Sequence, residues 1–512
     1  SVSVDATVSI SERANIDNYF NMASAASQFR YLELVNKYMP LNLSSTADPY
    51  LDKKAHKTQY MSEAYRLIFE RDQKANISDA EYSSAKAALI ARDGMWMQDL
   101  DKYVLQNNVR RQYNVAVRSA SEKVNNSLSF GYNTEDGYLQ GNGSNRVLIN
   151  LMNSTKLTRK LTFNANLVTL FSKRLNNGII LSSMKNYLSP WSRLVDEQGN
   201  FVHVPTSNTV YEPILRTEYA DLDWDYNPVA DRDYMNQQSS NVTMRVSGGL
   251  DYVTDWGLKL SAKGQYERRL FNAKTSYEPQ SYYVRDLVNT YPKFIKGGVF
   301  SQSGDDYSGY NLRFQAEYNK TFADKHKFTA LAGTEVISAT TELIPSVTRY
   351  GFNKYTNSVV REIDYVTNLD DIFGNTGSKS TNPYVAPGEL NTYSERFFSV
   401  YANAAYTFDN RYSLTASFRT DASNYQAIDV RQKFSPFWSV GAGWIISNEE
   451  FMEDSDNVNL LKLRATYGIA GVAAGKSETS SVTTLATSAG IAARNYGESY
   501  SYVPSNQRGN TS

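Results

Sequence analysis

The sequence predicts an all-β fold, a large transmembrane antiparallel β-barrel preceded by a short, mostly helical or irregular segment. Three observations carry that prediction. Long stretches alternate apolar and polar residues with period two, which puts one set of side chains on each face of a strand. Residues 396–408, RFFSVYANAAYTF, and 411–423, RYSLTASFRTDAS, are the clearest pair. Connections between such stretches are alternately short and long, the asymmetry of a membrane barrel with tight turns at one end and long loops at the other. Finally, 38 Tyr and 22 Phe accompany a mean hydropathy of -0.50. A strand that shows lipid only every second residue keeps the average low, and rings gather where apolar body and polar tip each meet their own solvent.

Along the chain, residues 1–10 alternate as SVSVDATVSI, but residues 18–106 read as helix and irregular chain. Ser78 with Glu81 three positions on has the form of a capping box. This first segment is either a small domain of its own or the lead into the first strand. Strand pairs then follow at 111–121 with 125–132, 146–157 with 160–175, and 241–253 with 257–270 around Thr254-Asp255-Trp256. Further pairs lie at 310–322 with 327–338, at 396–408 with 411–423 around Asp409-Asn410, and at 433–446 with 460–471. Most of these strands exceed the roughly 9 to 11 residues that cross a bilayer at a tilt, and soluble strands average only about 5 to 6.

The intervals 176–240, 271–309 and 339–395 are expected to be the long loops. The first is loaded with rings and acids, and Trp191, Tyr211, Tyr219, Asp223, Trp224 and Tyr226 are the candidate ligand-binding residues. Flat rings stack on sugar faces and grip peptides, while carboxylates take hydroxyl and amide hydrogens. The competing reading is that these rings pack the loop against itself.

Several function classes are excluded or unsupported. No apolar run approaches the roughly 18 residues of a spanning helix. Lys and Arg balance Asp and Glu at 53 each, which argues against nucleic acid as a partner. There is no Cys, and His56, His203 and His326 lie far apart, so neither a zinc-type centre nor a His-based triad can be placed. Asp221, Asp223 and Asp225 start like a calcium loop, but Tyr226 stands at the sixth position where Gly is required and Arg232 at the twelfth in place of Glu. Gly441-Ala442-Gly443 lies inside a strand and Gly141-Asn142-Gly143 between two strands, so both read as backbone devices. No acid pair or nucleophile with a base has a recognisable spacing, so neither enzyme activity nor a cofactor or metal is expected.

Residues 408–471, with FDNRYSLTASFRTDAS, FSPFWSVGAGWIISNEEFM and LLKLRATYGIAG, resemble the central barrel segment of the SusC-like (SusC/RagA) TonB-dependent outer-membrane transporters. A second resemblance runs from Trp96 through Asp99 and Arg111-Gln112-Tyr113-Asn114 to SLSFGYNTEDG ending at Gly137. Ser119-Ala120 replaces the paired glycines usual there, and Val472 stands where Asn is common. The resemblance implies a barrel of about 22 strands, of which roughly half is present. It implies that residues 1–106 are the end of a plug and its connection into the barrel, and that 107–512 are partial transmembrane barrel with long extracellular loops. Bare strand edges are not tolerated in lipid, so the 512 residues are expected to belong to a longer chain.

It further implies energy-coupled import of oligosaccharide or oligopeptide across the outer membrane of a Gram-negative cell, with a SusD-like surface lipoprotein as lid and TonB with ExbB/ExbD as the energy source. The barrel's solvent is then outer-membrane lipid, and pairs of transporter and lipoprotein can dimerise. The alternative is a passive porin or a barrel-based adhesin.

Overall fold

The computed structural model describes residues 1–16, 20, 22–39, 62–184, 188–205, 216–372, 382–424, 435–452, 458–470, 486–488 and 500–502. Thirteen strands form one antiparallel sheet in which every strand pairs with its neighbours in sequence. They are β1 (Val2–Ser11), β2 (Asn108–Ala120), β3 (Val124–Asp136), β4 (Gly143–Lys156), β5 (Leu161–Asn176), β6 (Met235–Val253) and β7 (Leu258–Tyr277). There follow β8 (Gly298–Phe322), β9 (His326–Phe352), β10 (Asn391–Phe408), β11 (Tyr412–Ser423), β12 (Ser435–Ile445) and β13 (Lys462–Ile469). Among the described residues the sheet does not close: β1 and β13 each have one partner strand only.

Two expectations are corrected by the pairing. Residues 1–10, grouped with the segment before the barrel, are a strand of the sheet, since Val2 through Ser11 pair antiparallel with Val117 through Asn108. The alternation of SVSVDATVSI was the signal, and its separation from the next strand by about a hundred residues concealed it. The intervals taken as loops are also partly strand. The β8 and β9 strands are 25 and 27 residues long and stay paired out to Gly298 and Phe352. Polar content beyond the bilayer erases the alternation there without ending the hydrogen-bonded ladder.

Register makes the two faces explicit. Val4, Val115, Phe130, Ile149, Thr169, Met244 and Arg268 occupy successive paired positions across seven strands, apolar from β1 to β6 except at Thr169. A parallel row runs Leu312, Val336, Phe398 and Ala422. Val4, Val115, Phe130, Met244, Leu312 and Phe398 are all exposed, as side chains facing lipid must be. Near the short turns a belt of rings lies on the same face, with Tyr318 6.1 Å from Phe328 and Tyr412 stacked 6.5 Å from Trp444.

The opposite face is polar and concave. Residues from β2 through β8, among them Arg118, Asn164, Asn166, Lys263 and Arg313, line one hollow of about 870 Å³. Gly333 and Gly257 are among the glycines whose place no side chain could take. Gly333 on β9 lies under the Tyr401 ring, where a Cβ would stand 2.6 Å from the ring, and the Tyr401 hydroxyl donates to Gln315 Oε1 at 2.9 Å. Gly257 closes the β6–β7 turn at φ +99, with Asn319 O 2.7 Å from where a Cβ would sit.

Between β1 and β2 the chain forms helices α1 (Ala25–Tyr38), α2 (Glu63–Phe69), α3 (Asp79–Ile90) and α4 (Met95–Tyr103). Ser24, Ser62 and Ser78 cap the first three through their hydroxyls, and Ser78 with Glu81 completes the capping box. Because Ser11 and Asn108 are paired, and Val109 pairs with Asp136, these helices start and finish at the sheet end that also carries the β3–β4, β5–β6, β7–β8 and β9–β10 connections. Short turns occupy the other end throughout β2 to β11.

Candidate cargo site

The polar wall is built from side chains that alternate charge across neighbouring strands. Arg245 on β6 pairs with Glu267 on β7 at 2.7 Å, and Arg269 on β7 with Asp305 on β8 at 2.8 Å. Glu335 on β9 accepts from Arg313 at 2.8 Å and from Asn311 at 2.7 Å, both on β8. Arg419 and Asp421 pair at 2.8 Å along β11. Opposite charges at directly paired, diagonal or same-strand positions hold long side chains against the wall and leave the channel wet. These residues sit at the lumen-facing parity of strands whose other parity faces lipid. That parity was their available signal in the sequence, and no motif marks them.

Above the wall, the β5–β6 connection folds back on the helical segment. Asp99 of α4 is buried and accepts from Leu194 N at 2.8 Å, Val195 N at 3.4 Å and Arg193 Nε at 3.0 Å. A buried carboxylate is tolerated there because two backbone N–H groups and the Arg193 Nε–H are aimed at it. Around it pack Trp96, Leu100, Val104, Leu188, Leu194, Val204 and Val229, a core shared by α4 and the loop. Short helices α5 (Leu181–Met184) and α6 (Pro228–Asp231) lie in that loop, and α7 (Tyr282–Thr290) in the β7–β8 connection. Asn227 caps α6 by accepting from Val229 N and Ala230 N while donating to Leu194 O at 2.7 Å and Val202 O at 2.8 Å. Asp231, also buried, accepts from Tyr282 N, which joins α6 to α7; burial pushes its carboxyl up from the ordinary value, opposed by that hydrogen bond.

The sequence-predicted ligand residues are distributed through this packing. Trp191, 3% exposed, sits among Ala25, Phe29, Ala64, Ile68, Tyr82 and Leu89, with its ring 5.5 Å from Phe29. Trp224, 7% exposed, packs with Tyr219, Leu222 and Ile372. Neither ring offers a face to a ligand, so the expectation of open stacking surfaces at Trp191 and Trp224 is corrected. Apolar faces in a long loop were recruited to give that loop a core. Tyr226 is half-buried against Tyr282 at 4.7 Å, and its N–H donates to His203 Nδ1 at 3.0 Å. Asp223 is engaged by α7, pairing with Arg285 at 2.7 Å and accepting at its backbone oxygen from Asn289. Asp225 pairs with Arg216, so two of the three alternate acids are neutralised by arginines. Among the described residues no group of three or more His, Cys, Asp or Glu could hold a metal ion. Tyr211 lies outside the described residues.

No family model matches the chain. TonB-dependent receptor P39 of Formosa agariphila is 26% identical over 375 residues, covering 73% of this chain and 32% of that receptor. TonB-dependent receptor P26 of the same organism is 23% identical over 368 residues, covering 70% and 32%. The chain thus spans about a third of the length of the curated relatives it matches. In fold it is similar to the RagAB peptide transporter, with a TM-score of 0.64 at 16% identity over 99% of this chain and 51% of that one. The open-open state of the RagAB peptide importer gives 0.66, also at 16% identity, over 100% and 50%. The chain is thus similar in sequence to TonB-dependent receptors over about a third of their length, and in fold to the SusC-like RagAB importers over about half of theirs.

Proposed function

We propose that the whole protein imports an oligomeric nutrient across the outer membrane of a Gram-negative cell, driven by TonB with ExbB/ExbD, and that a SusD-like surface lipoprotein closes over the long-loop end. The observation that carries this reading is the division of one continuous sheet into an apolar outer face and a charged, hollow inner face, with the elaborate connections at a single end. A solute-sized lumen capped by packed loops suits a large cargo that a lid must enclose. The names of the relatives support an energised receptor, and the name of the solved neighbours supports an oligopeptide. An oligosaccharide remains the other cargo class. With Trp191 and Trp224 buried, stacking on those two rings does not single it out.

The test is uptake of fluorescent oligopeptides and oligosaccharides by cells carrying the full-length protein, with and without a functional energising complex. Import that stops when the complex is removed supports the reading. Uptake that persists unchanged indicates a passive porin, and failure to take up either class while cells still adhere to surfaces indicates an adhesin. Outer-membrane pull-down of the tagged protein should also recover a surface lipoprotein.

A further inference from the structure

On β6 to β9 the lumen-facing arginines Arg245, Arg269 and Arg313 each have a carboxylate, as Arg419 does on β11. On β4 and β5 the pattern breaks. Arg146 pairs across the sheet with Ser172, and Arg174 with Ser144, so the two guanidinium groups start from diagonal positions of one face, about 7 to 8 Å apart at the backbone. Both are exposed, and neither has a carboxylate or other hydrogen-bond partner among the described residues. They line a recess of about 640 Å³ at the long-loop end, together with Ser172, Ser239, Asn241 and Phe271. Its one carboxylate, Glu135, already accepts from Asn108 Nδ2 at 2.8 Å. Asn241 Oδ1 is buried there without a donor.

We propose that Arg146 and Arg174 form an anion-accepting subsite at the outer end of the lumen, which takes a carboxylate or sulfate carried by the cargo. Two like charges on adjacent strands oppose each other, whereas Arg245, Arg269, Arg313 and Arg419 each meet a carboxylate. Guanidinium forks bind planar or tetrahedral oxyanions by paired hydrogen bonds, which a lysine pair cannot match. The orphan oxygen of Asn241 adds an acceptor for a hydroxyl or amide hydrogen beside the anion. Both acidic oligosaccharides and peptide carboxylates carry this chemistry. The inference rests on the import reading but is tested separately from it.

The test uses the full-length transporter bearing Ser172→Cys, with the parent lacking that cysteine as background. Reaction with a negatively charged thiosulfonate reagent should outrun the positively charged one by about tenfold, because a recess whose cations outnumber its one carboxylate concentrates anions. Adding Arg146→Gln and Arg174→Gln should bring the two rates together. Tri-galacturonate and an acidic pentapeptide are then offered as protectants, each beside its neutral counterpart, the galactose trimer and the amidated glutamine peptide. Protection by one acidic probe and not its neutral partner assigns the source of the anion. Equal rates for the two reagents overturn the proposal, because the arginines are then paired with another part of the protein. A cysteine that does not react, or protection by none of the probes, overturns it as a cargo site. Loss of energised uptake bears on the import reading alone, since the reagent ratio is independent of energisation.

Discussion

Asp99 illustrates how much of the loop architecture hangs on single groups. Its carboxylate collects two backbone N–H groups and the Arg193 guanidinium inside a packed core, so Asp99→Ala strands three donors at once. Breaking such a buried pair costs on the order of 3 kcal/mol. The expected outcome is faster amide exchange at Leu194 and Val195 with unchanged exchange in β6 to β9, measured by hydrogen–deuterium exchange. Uniform acceleration would show that Asp99 supports the whole sheet. A second residue-scale case is Ala323, in the left-handed region at φ 47 in the β8–β9 turn. An L-residue pays about 1 kcal/mol there, so Ala323→Gly should stabilise the folded barrel by about that amount in urea refolding. Ala323→Val should do the reverse.

At the scale of elements, the helices between β1 and β2 are joined by polar side chains that respond to pH. Glu33 on α1 accepts from Lys86 at 2.6 Å and from Tyr82 at 2.7 Å, both on α3. Partial burial would raise the Glu33 carboxyl, but those hydrogen bonds and the positive charges of Lys86 and Arg71 hold it below the ordinary value. A depressed carboxyl contributes stability that is present above its unfolded value and lost as pH falls through the folded one. The α1–α3 contact should therefore loosen below about pH 4.5. Protease cleavage within α1 to α3 should rise there, and Glu33→Gln should flatten the pH dependence. Cleavage that stays equal from pH 7 down to about pH 3 would count against this linkage.

For the whole molecule, β1 and β13 are the two edges of the sheet among the described residues, and both strands are exposed along their full length. Unpaired N–H and C=O groups cannot be left in hydrocarbon. The 512-residue stretch refolded alone in detergent should therefore fail to run as a compact, heat-modifiable band on a gel, whereas the full-length chain should do so. A compact, monomeric and protease-resistant form of the stretch alone would show that β1 and β13 find each other.

Period-two alternation, tight turn residues and the unequal spacing of strands were enough to read an antiparallel membrane barrel from the sequence, because each is a local consequence of strand geometry and of lipid on one face. Asp409-Asn410 declared its turn, and both residues take positive φ. The candidate site was far less legible. Trp191 and Trp224 have the composition of a binding surface, and only tertiary packing reveals that other parts of the chain cover them. Membership of β1 in the sheet was likewise decided by a partner about a hundred residues away. So was the contrast between paired and unpaired lumenal arginines, since a carboxylate on a neighbouring strand is set by register across long loops. Alternation is written residue by residue, but burial and charge pairing depend on which distant segments meet, and only the folded chain settles that.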